Sequence, residues 1–165
     1  MSTTQSGRGS SRLAAVIGVI AAAILAIAAF AFLASRSISI ETTDPTGAHN
    51  NFDAALEGIA DRTPLVRRDP SGRFVRRETA AAAAIARPTH LHVLAYHAAG
   101  DRLVRAEVPL WFYKVKGPAA GYALRGTGFD LEALGLTAGD LERAGAGVVL
   151  DETRAGGDRL LAWTR

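Results

Sequence analysis

Three side chains whose types suit metal binding come together in the sequence around one predicted β-turn. His90 and His92 alternate on one extended run, and Glu107 lies on the next run, opposite His92 when the turn closes. Residues two apart on a strand share a face, so the two imidazoles would be about 6.5–7 Å apart at Cα, which suits two ligands of one metal ion. The pattern therefore leaves two interpretations: an exposed His–Glu cross-strand pair, or a three-ligand metal site.

Other residues that commonly do chemistry are not arranged for it. The chain has no cysteine, which excludes thiolate nucleophiles and Cys-ligated metals, and no G-x-S-x-G, G-x-x-x-x-G-K-[ST] or H-E-x-x-H motif. His49 is remote, His97 has the opposite strand parity, and the adjacent Asp151 and Glu152 point to opposite faces. We therefore predict no enzyme, no cofactor, and no catalytic, cofactor-binding or metal-ligating residue. The alternative is a metal-dependent hydrolase built on the three side chains above.

A predicted antiparallel hairpin positions these side chains. Two extended runs, 90–97 and 102–109, flank the turn residues 98–101, and closing that turn places His97 opposite Arg102 and Leu91 opposite Val108. In this register one face of the hairpin is wholly apolar and the other is mixed. A slip of one residue would destroy the separation, so the pattern itself supports the register.

The rest of the C-terminal module reads as short helices and a second hairpin. Pro109 ends a strand or begins a helix, and residues 110–116 form either a core element or an aromatic and lysine-bearing interfacial patch. Asp130 caps a short turn, and Thr137 opens a capping box for a helix that ends at Gly145. The second hairpin sets Val148 opposite Trp163, Leu150 opposite Leu161, and Glu152 in a cross-strand ion pair with Arg159. Residues 88–165 are therefore predicted to be an α+β module: two hairpins around short helices, an antiparallel sheet covered on one face.

Upstream of this module we predict smaller elements. Residues 35–51 form a polar tether, and residues 52–87 contain an amphipathic helix, a small hairpin and an alanine-rich spacer. Asn51 is the predicted N-cap of the helix, whose apolar stripe recurs at 52, 55, 56, 59 and 60. The hairpin turns at residues 69–72 and carries five arginines, which either contact anionic lipid or form a solvated, ion-paired face.

An uninterrupted apolar run precedes all of these elements. Residues 13–34 contain no charged or polar side chain and no proline, and as a helix they would be about 33 Å long, enough to cross a membrane. Arg8 and Arg12 precede the run and Arg36 follows it, which favours a cytoplasmic tail at residues 1–12 and an exported C-terminal domain. A signal peptide cleaved after Ala31 is the alternative, but the run continues to Leu33 and exceeds the usual apolar region, so a retained signal anchor is favoured.

Three segments carry a resemblance to known proteins: VPLWF, GFDLEALGLTAGDLERAG and VVLDETRAGGDRLLAW. At these segments the chain resembles uncharacterised single-pass membrane proteins of bacteria, over roughly its last 80 residues. The order of hairpin, VPL, helix and hairpin is also similar to small C-terminal modules of bacterial envelope-stress regulators. The resemblance implies an α+β interaction module and carries no established activity.

The kinds of molecule that the chain is expected to bind can be inferred from its net charge and from the predicted membrane anchor. A net charge of +3 without any basic run indicates no nucleic-acid binding. The lipid bilayer is the predicted partner of residues 13–34, and a protein partner or self-association is predicted for the domain. We therefore predict a single-pass anchored interaction or regulatory protein of the cell envelope. A third interpretation is a lipid-surface protein that uses Trp111, Phe112, Tyr113 and the arginines of the 67–77 hairpin.

Overall fold

The computed structural model describes residues 38–77, 87–116, 124 and 126–165. The predicted tail, the predicted membrane helix over 13–34 and most of the predicted alanine-rich spacer lie outside the described residues. Within those ranges, no helix is long and apolar enough to cross a membrane. The chain from Ser37 to Arg165 forms one compact unit.

A five-stranded antiparallel sheet organises this unit, with strand order β1-β5-β4-β7-β6, and a two-stranded sheet pairs β2 with β3. The helices pack around the larger sheet, so the predicted α+β class is confirmed. The strands are β1 (Ile38–Thr42), β2 (Val66–Arg68), β3 (Phe74–Arg76), β4 (His90–His97), β5 (Arg102–Pro109), β6 (Gly147–Thr153) and β7 (Arg159–Thr164). The helices are α1 (Pro45–Glu57), α2 (Leu110–Lys116) and α3 (Ala138–Ala144).

The predicted hairpin of β4 and β5 is confirmed in the predicted register. His97 lies opposite Arg102, His92 opposite Glu107 and Leu91 opposite Val108. The connection turns through Asp101, whose φ of 46° is left-handed, a conformation that aspartate tolerates better than most residues. Strand β4 is central because β7 pairs with its other edge.

The sheet is covered on both faces, whereas the sequence predicted cover on one. The first core contains the apolar face of the β4–β5 hairpin together with Leu110, Leu136 and Leu141. The second core lies on the opposite face, where Phe52 of α1 packs with Leu94. Leu94, Tyr96 and Leu103 are the apolar residues of the hairpin face that the sequence showed as a mixture of polar and apolar residues. All three are buried in this second core.

Residues 38–51 differ from the predicted tether. Residues 38–42 are strand β1, paired with β5, and α1 begins at Pro45 with Asp44 as its N-cap. The Asp44 side chain accepts a hydrogen bond from the Gly47 amide at 2.8 Å, and a proline at the first helical position suits a helix start as well as a turn. Burial of Ala48 and Phe52 selects the helix. Asn51, the predicted cap, therefore lies inside α1.

The C-terminal hairpin contains a β-bulge that the sequence analysis missed. Val148 lies opposite Trp163 as predicted, but the register shifts between Val148 and Leu150, so Leu150 lies opposite Ala162 rather than Leu161. Three consecutive apolar residues cannot alternate between two faces in a regular strand, and the bulge lets Val149 and Leu150 both enter the first core.

The predicted ion pair between Glu152 and Arg159 is wrong as a consequence of that bulge. Arg159 instead contacts the Asp151 carboxylate at 3.3 Å, and Glu152 pairs with Arg68 and Arg154.

Candidate functional site

Five strand ends meet at one end of the sheet, which we call the His90 end. The first residue of β1, Ile38, lies beside Ala106 near the end of β5, and Pro109 closes β5 opposite His90. The last residue of β7, Thr164, lies opposite Leu91 and opposite Gly147, the first residue of β6. The opposite end, which we call the Asp101 end, carries the β4–β5 turn.

At the His90 end, Glu107 lies between the two histidines singled out from the sequence. Its carboxylate oxygens are 3.9 Å from His90 Nε2 and 3.7 Å from His92 Nδ1, and the two imidazole centroids are 6.3 Å apart. The Thr89 hydroxyl is 2.9 Å from His90 Nδ1. The structure therefore brings together all three side chains on one face of the sheet.

His92 also stacks on Trp163. The two rings lie 5.1 Å apart with an interplanar angle of 12°. Burial lowers the pKa of the His92 imidazole and outweighs the opposing attraction of Glu107. The stacked His92 ring thus packs as an uncharged aromatic group. This packing fixes the orientation of His92 beside His90 and Glu107.

The three side chains lie close together, but they are not arranged as the ligands of one metal ion. Across residues 38–77, 87–116, 124 and 126–165, no group of three or more His, Asp and Glu side chains is placed to hold a metal ion. His97 points to the other face, with Nε2 at 2.7 Å from the Gly126 carbonyl oxygen, and His49 pairs with Asp53 on α1. The cluster matches the His–Glu cross-strand pair that the sequence left open.

Beside Trp163 lies a groove that the sequence analysis did not predict. It encloses about 340 Å³ between the C-terminal half of α1 and the His90 end, with Ala55 and Ile59 on the helix side and Trp163 on the sheet side. Its polar lining includes Asn51 and Arg105, joined by a hydrogen bond of 3.0 Å that the guanidinium donates to the side-chain amide oxygen Oδ1 of Asn51. A cavity of this size suits a small ligand or a few side chains of a partner. One sign of this groove was visible in the sequence, the charged Arg105 on the hairpin face that combines polar and apolar residues.

The predicted small hairpin is present as β2 and β3, and its arginines are largely engaged within the domain. Arg76 pairs with Asp140 and Arg77 with Asp61, each at 2.9 Å, while Arg68 pairs with Glu152 and lies over the Phe74 ring. Charges neutralised in this way contribute little attraction to an anionic surface. The ion-paired interpretation of this hairpin is therefore the one the geometry favours.

Helix α2 combines the two interpretations that the sequence left open. Leu110 and Tyr113 are buried in the first core, and Phe112 packs against it. Trp111 and Val115, one turn apart, are 59% and 69% exposed. The helix is thus a core element on one side and an exposed apolar surface on the other.

A scan against protein-family models found no match, and searches of curated proteins and of solved structures found no significant match to this chain. The function is therefore inferred from the chemistry of the residues themselves. Two features of the described domain carry that chemistry: the groove and histidine cluster at the His90 end, and the exposed apolar side of α2.

Proposed function

We propose that the chain is a single-pass membrane-anchored protein whose exported α+β domain is a non-catalytic interaction or regulatory module of the cell envelope. The observation that carries the proposal is the apolar run over residues 13–34, which has no charged or polar side chain and has the length of a membrane span. The arginines that flank it favour a cytoplasmic N-terminus.

The interaction role is supported by what the domain exposes. Trp111, Val115 and Ile40 are large apolar side chains that remain exposed, although exposing them to water gains no hydrophobic free energy. The groove beside Trp163 adds a concave surface with an apolar floor and a guanidinium. Exposed large apolar side chains and concave surfaces are two kinds of feature through which small domains bind other molecules.

Membrane extraction tests the anchor. In cells, the full-length protein should stay in the membrane pellet after alkaline carbonate treatment. A variant with Ile20→Asp and Ile24→Asp should move to the supernatant, because each acidic residue near the centre of a span costs about 2.5–3.5 kcal/mol. The matched control, Ile20→Val with Ile24→Val, should stay in the pellet. Full extraction of the unmodified protein would refute the anchor.

Single-cysteine labelling tests the orientation of the protein in the membrane. Because the chain has no native cysteine, each introduced cysteine is the only residue that a maleimide can label through a thiol. An impermeant maleimide should label Ala155→Cys, in the exposed β6–β7 turn, in intact cells. It should label Thr3→Cys only after lysis. The reverse pattern would overturn the proposed orientation. The intact mass of the purified protein distinguishes a retained anchor from a cleaved signal peptide.

The alternative function is the membrane-tethered metal-dependent hydrolase that uses His90, His92 and Glu107. The position of the Glu107 carboxylate between the two imidazoles is the observation in its favour. Elemental analysis of the purified full-length protein decides it. One transition-metal ion per chain, lost in His90→Ala and retained in His49→Ala, would favour the hydrolase; a metal-free protein that gains none on titration with Zn²⁺ would remove it.

A further inference from the structure

The short connection between the apolar run and the domain limits which part of the domain reaches the membrane. Four residue steps separate Ala34 from Ile38, the first residue of β1. A fully extended chain of that length spans about 14 Å, and the headgroup region of one leaflet is about 5–8 Å thick. With residues 13–34 as the anchor, Ile38 can therefore lie no more than about 14 Å beyond the end of the apolar run.

The sheet topology then specifies which other residues share that height. Ile38 belongs to the His90 end, together with Pro109, Thr164 and the start of β4. The Asp101 end is one strand length away, about 25 Å for the eight residues of β4. The short connection therefore lets the His90 end reach the membrane more readily than the Asp101 end.

The exposed side of α2 begins at this same end. Helix α2 follows β5 directly, and the Leu110 amide donates a hydrogen bond of 2.9 Å to the Thr89 carbonyl oxygen. Trp111 and Val115 then project from one side of the helix, four residues apart. Tryptophan gathers at membrane–water interfaces, because its apolar ring and its N–H donor are both satisfied there.

The two ends of the sheet carry different charges, and the His90 end has the basic residues that an anionic leaflet would attract. At the His90 end, Arg87 and Arg165 are exposed, and neither has an ion-pair partner among the described residues. At the other end, burial together with the carboxylates of Asp101, Asp44 and Asp158 raises the pKa of Tyr96. The His90 end thus offers two cations that are not ion-paired within the described residues, whereas the Asp101 end carries an acidic cluster beside its own exposed Arg102.

We propose that the His90 end is a lipid-binding surface: Trp111 and Val115 insert at the headgroup–acyl boundary, and Arg87 and Arg165 contact anionic headgroups. The proposal rests on the proposed membrane anchor. It differs from the arginine-hairpin interpretation, because Arg68 of β2 and Arg76 of β3 are ion-paired within the domain. It also accounts for exposed apolar side chains on α2 without requiring a protein partner for them.

Tryptophan quenching in full-length protein tests this proposal, since the chain has only two tryptophans. The protein is reconstituted into vesicles that contain anionic lipid and phosphatidylcholine brominated near the headgroup. In Trp163→Phe, the remaining Trp111 should lose about half of its emission, because an interfacial indole lies beside the bromines. Trp111→Phe is the matched control, whose remaining Trp163 is half-buried and stacked on His92, and its emission should change much less.

Charge reversal supplies the second arm. Arg87→Glu with Arg165→Glu should reduce the quenching of Trp111 in anionic vesicles, whereas Arg102→Glu, an exposed arginine at the Asp101 end, should leave it unchanged. Unquenched Trp111 emission in carbonate-resistant protein would overturn the lipid surface while the anchor stands. Trp111 shielded from both brominated lipid and aqueous iodide would also overturn it, and would indicate a second copy or a protein partner. Loss of carbonate resistance would refute the anchor itself.

Discussion

Replacing Asp140 by asparagine should remove a pH-dependent share of the stability of the domain. Asp140 is only 6% exposed, and its carboxylate accepts hydrogen bonds from the Thr137 hydroxyl at 2.6 Å and the Thr137 amide at 2.8 Å. The Arg76 guanidinium on β3 donates to the other oxygen at 2.9 Å. One carboxylate thus caps α3 and ties the β2–β3 hairpin to it.

The magnitude follows from the pKa of Asp140. Burial alone would raise it, but the hydrogen bonds from Thr137 and Arg76 outweigh burial and lower the pKa from 3.8 to about 2. One pKa unit corresponds to about 1.4 kcal/mol, so the charged form contributes about 2 kcal/mol near neutral pH. Because the folded-state pKa lies below the unfolded one, this contribution is complete above 3.8 and is lost as the pH falls through about 2.

Urea unfolding of a fragment spanning residues 37–165 at several pH values measures this contribution. At pH 7 Asp140→Asn should unfold with about 2 kcal/mol less free energy than the parent, and by pH 3 the difference should shrink by about 1 kcal/mol. The control is Glu57→Gln, an exposed carboxylate with no ion pair among the described residues, which should change the free energy by less than about 0.5 kcal/mol. A deficit for Asp140→Asn that stays constant from pH 7 to pH 3 would refute the linkage between this carboxylate and stability.

Three further predictions use the same unfolding measurement. Tyr113→Phe should raise the free energy of unfolding by about 1 kcal/mol, because the buried Tyr113 hydroxyl has no hydrogen-bond partner in the described structure; a destabilised variant would show that the hydroxyl is satisfied. His92→Gln should flatten the loss of stability below pH 6.5, because the lowered pKa of His92 makes the folded state bind its proton less readily than the unfolded state; parallel pH curves would contradict this. Gly72→Ala should cost about 1–2 kcal/mol because Gly72 has φ +85°, whereas Gly100→Ala, without a positive φ and with equal open space, should be neutral or slightly stabilising; equal effects would show that backbone strain does not decide the outcome.

The elements that were predictable from the sequence are those set by local rules. The β4–β5 register follows from hydrophobic alternation, because only one register puts Leu91 and Val108 on the same apolar face. The capping box of α3 and its end at Gly145 follow from residues three to eight positions apart, and both were predicted and are present. The turn at Asp130 is confirmed by the hydrogen bond that the Glu132 amide donates to the Asp130 carboxylate.

The missed features are those that only the assembled structure decides. The sequence Asp44-Pro45 suits both a turn and a helix start, and the choice depends on whether Phe52 finds a core to enter. Cover on the second face could not be seen from β4 and β5 alone, because Leu94 and Leu103 are buried by a helix some forty to fifty residues upstream. The bulge at Val149 was hidden for a related reason, since apolar residues on consecutive strand positions are compatible with several registers.

The candidate site also has one part that could be predicted from local sequence and one part that could not. The His90–His92–Glu107 cluster was predictable, because it needs only one hairpin in one register. The groove was not, because Asn51, Arg105 and Trp163 come from three elements that are distant in the sequence. The ion pairs show the same contrast: the pairing of Arg68 with Glu152 spans 84 positions, and the assembly of the hairpin against β6 creates it.

The engagement of the β2–β3 arginines also bears on how the domain would use its charge. A sequence with five arginines in eleven residues has the composition of a surface that attracts anionic lipid. Because Arg68, Arg76 and Arg77 are held by Glu152, Asp140 and Asp61, moving them to a membrane would break ion pairs that contribute to folding. Arg87 and Arg165 carry no such penalty within the described residues. Arg87 and Arg165 at the His90 end can therefore contact anionic lipid without breaking an ion pair, whereas most of the arginines in the hairpin cannot.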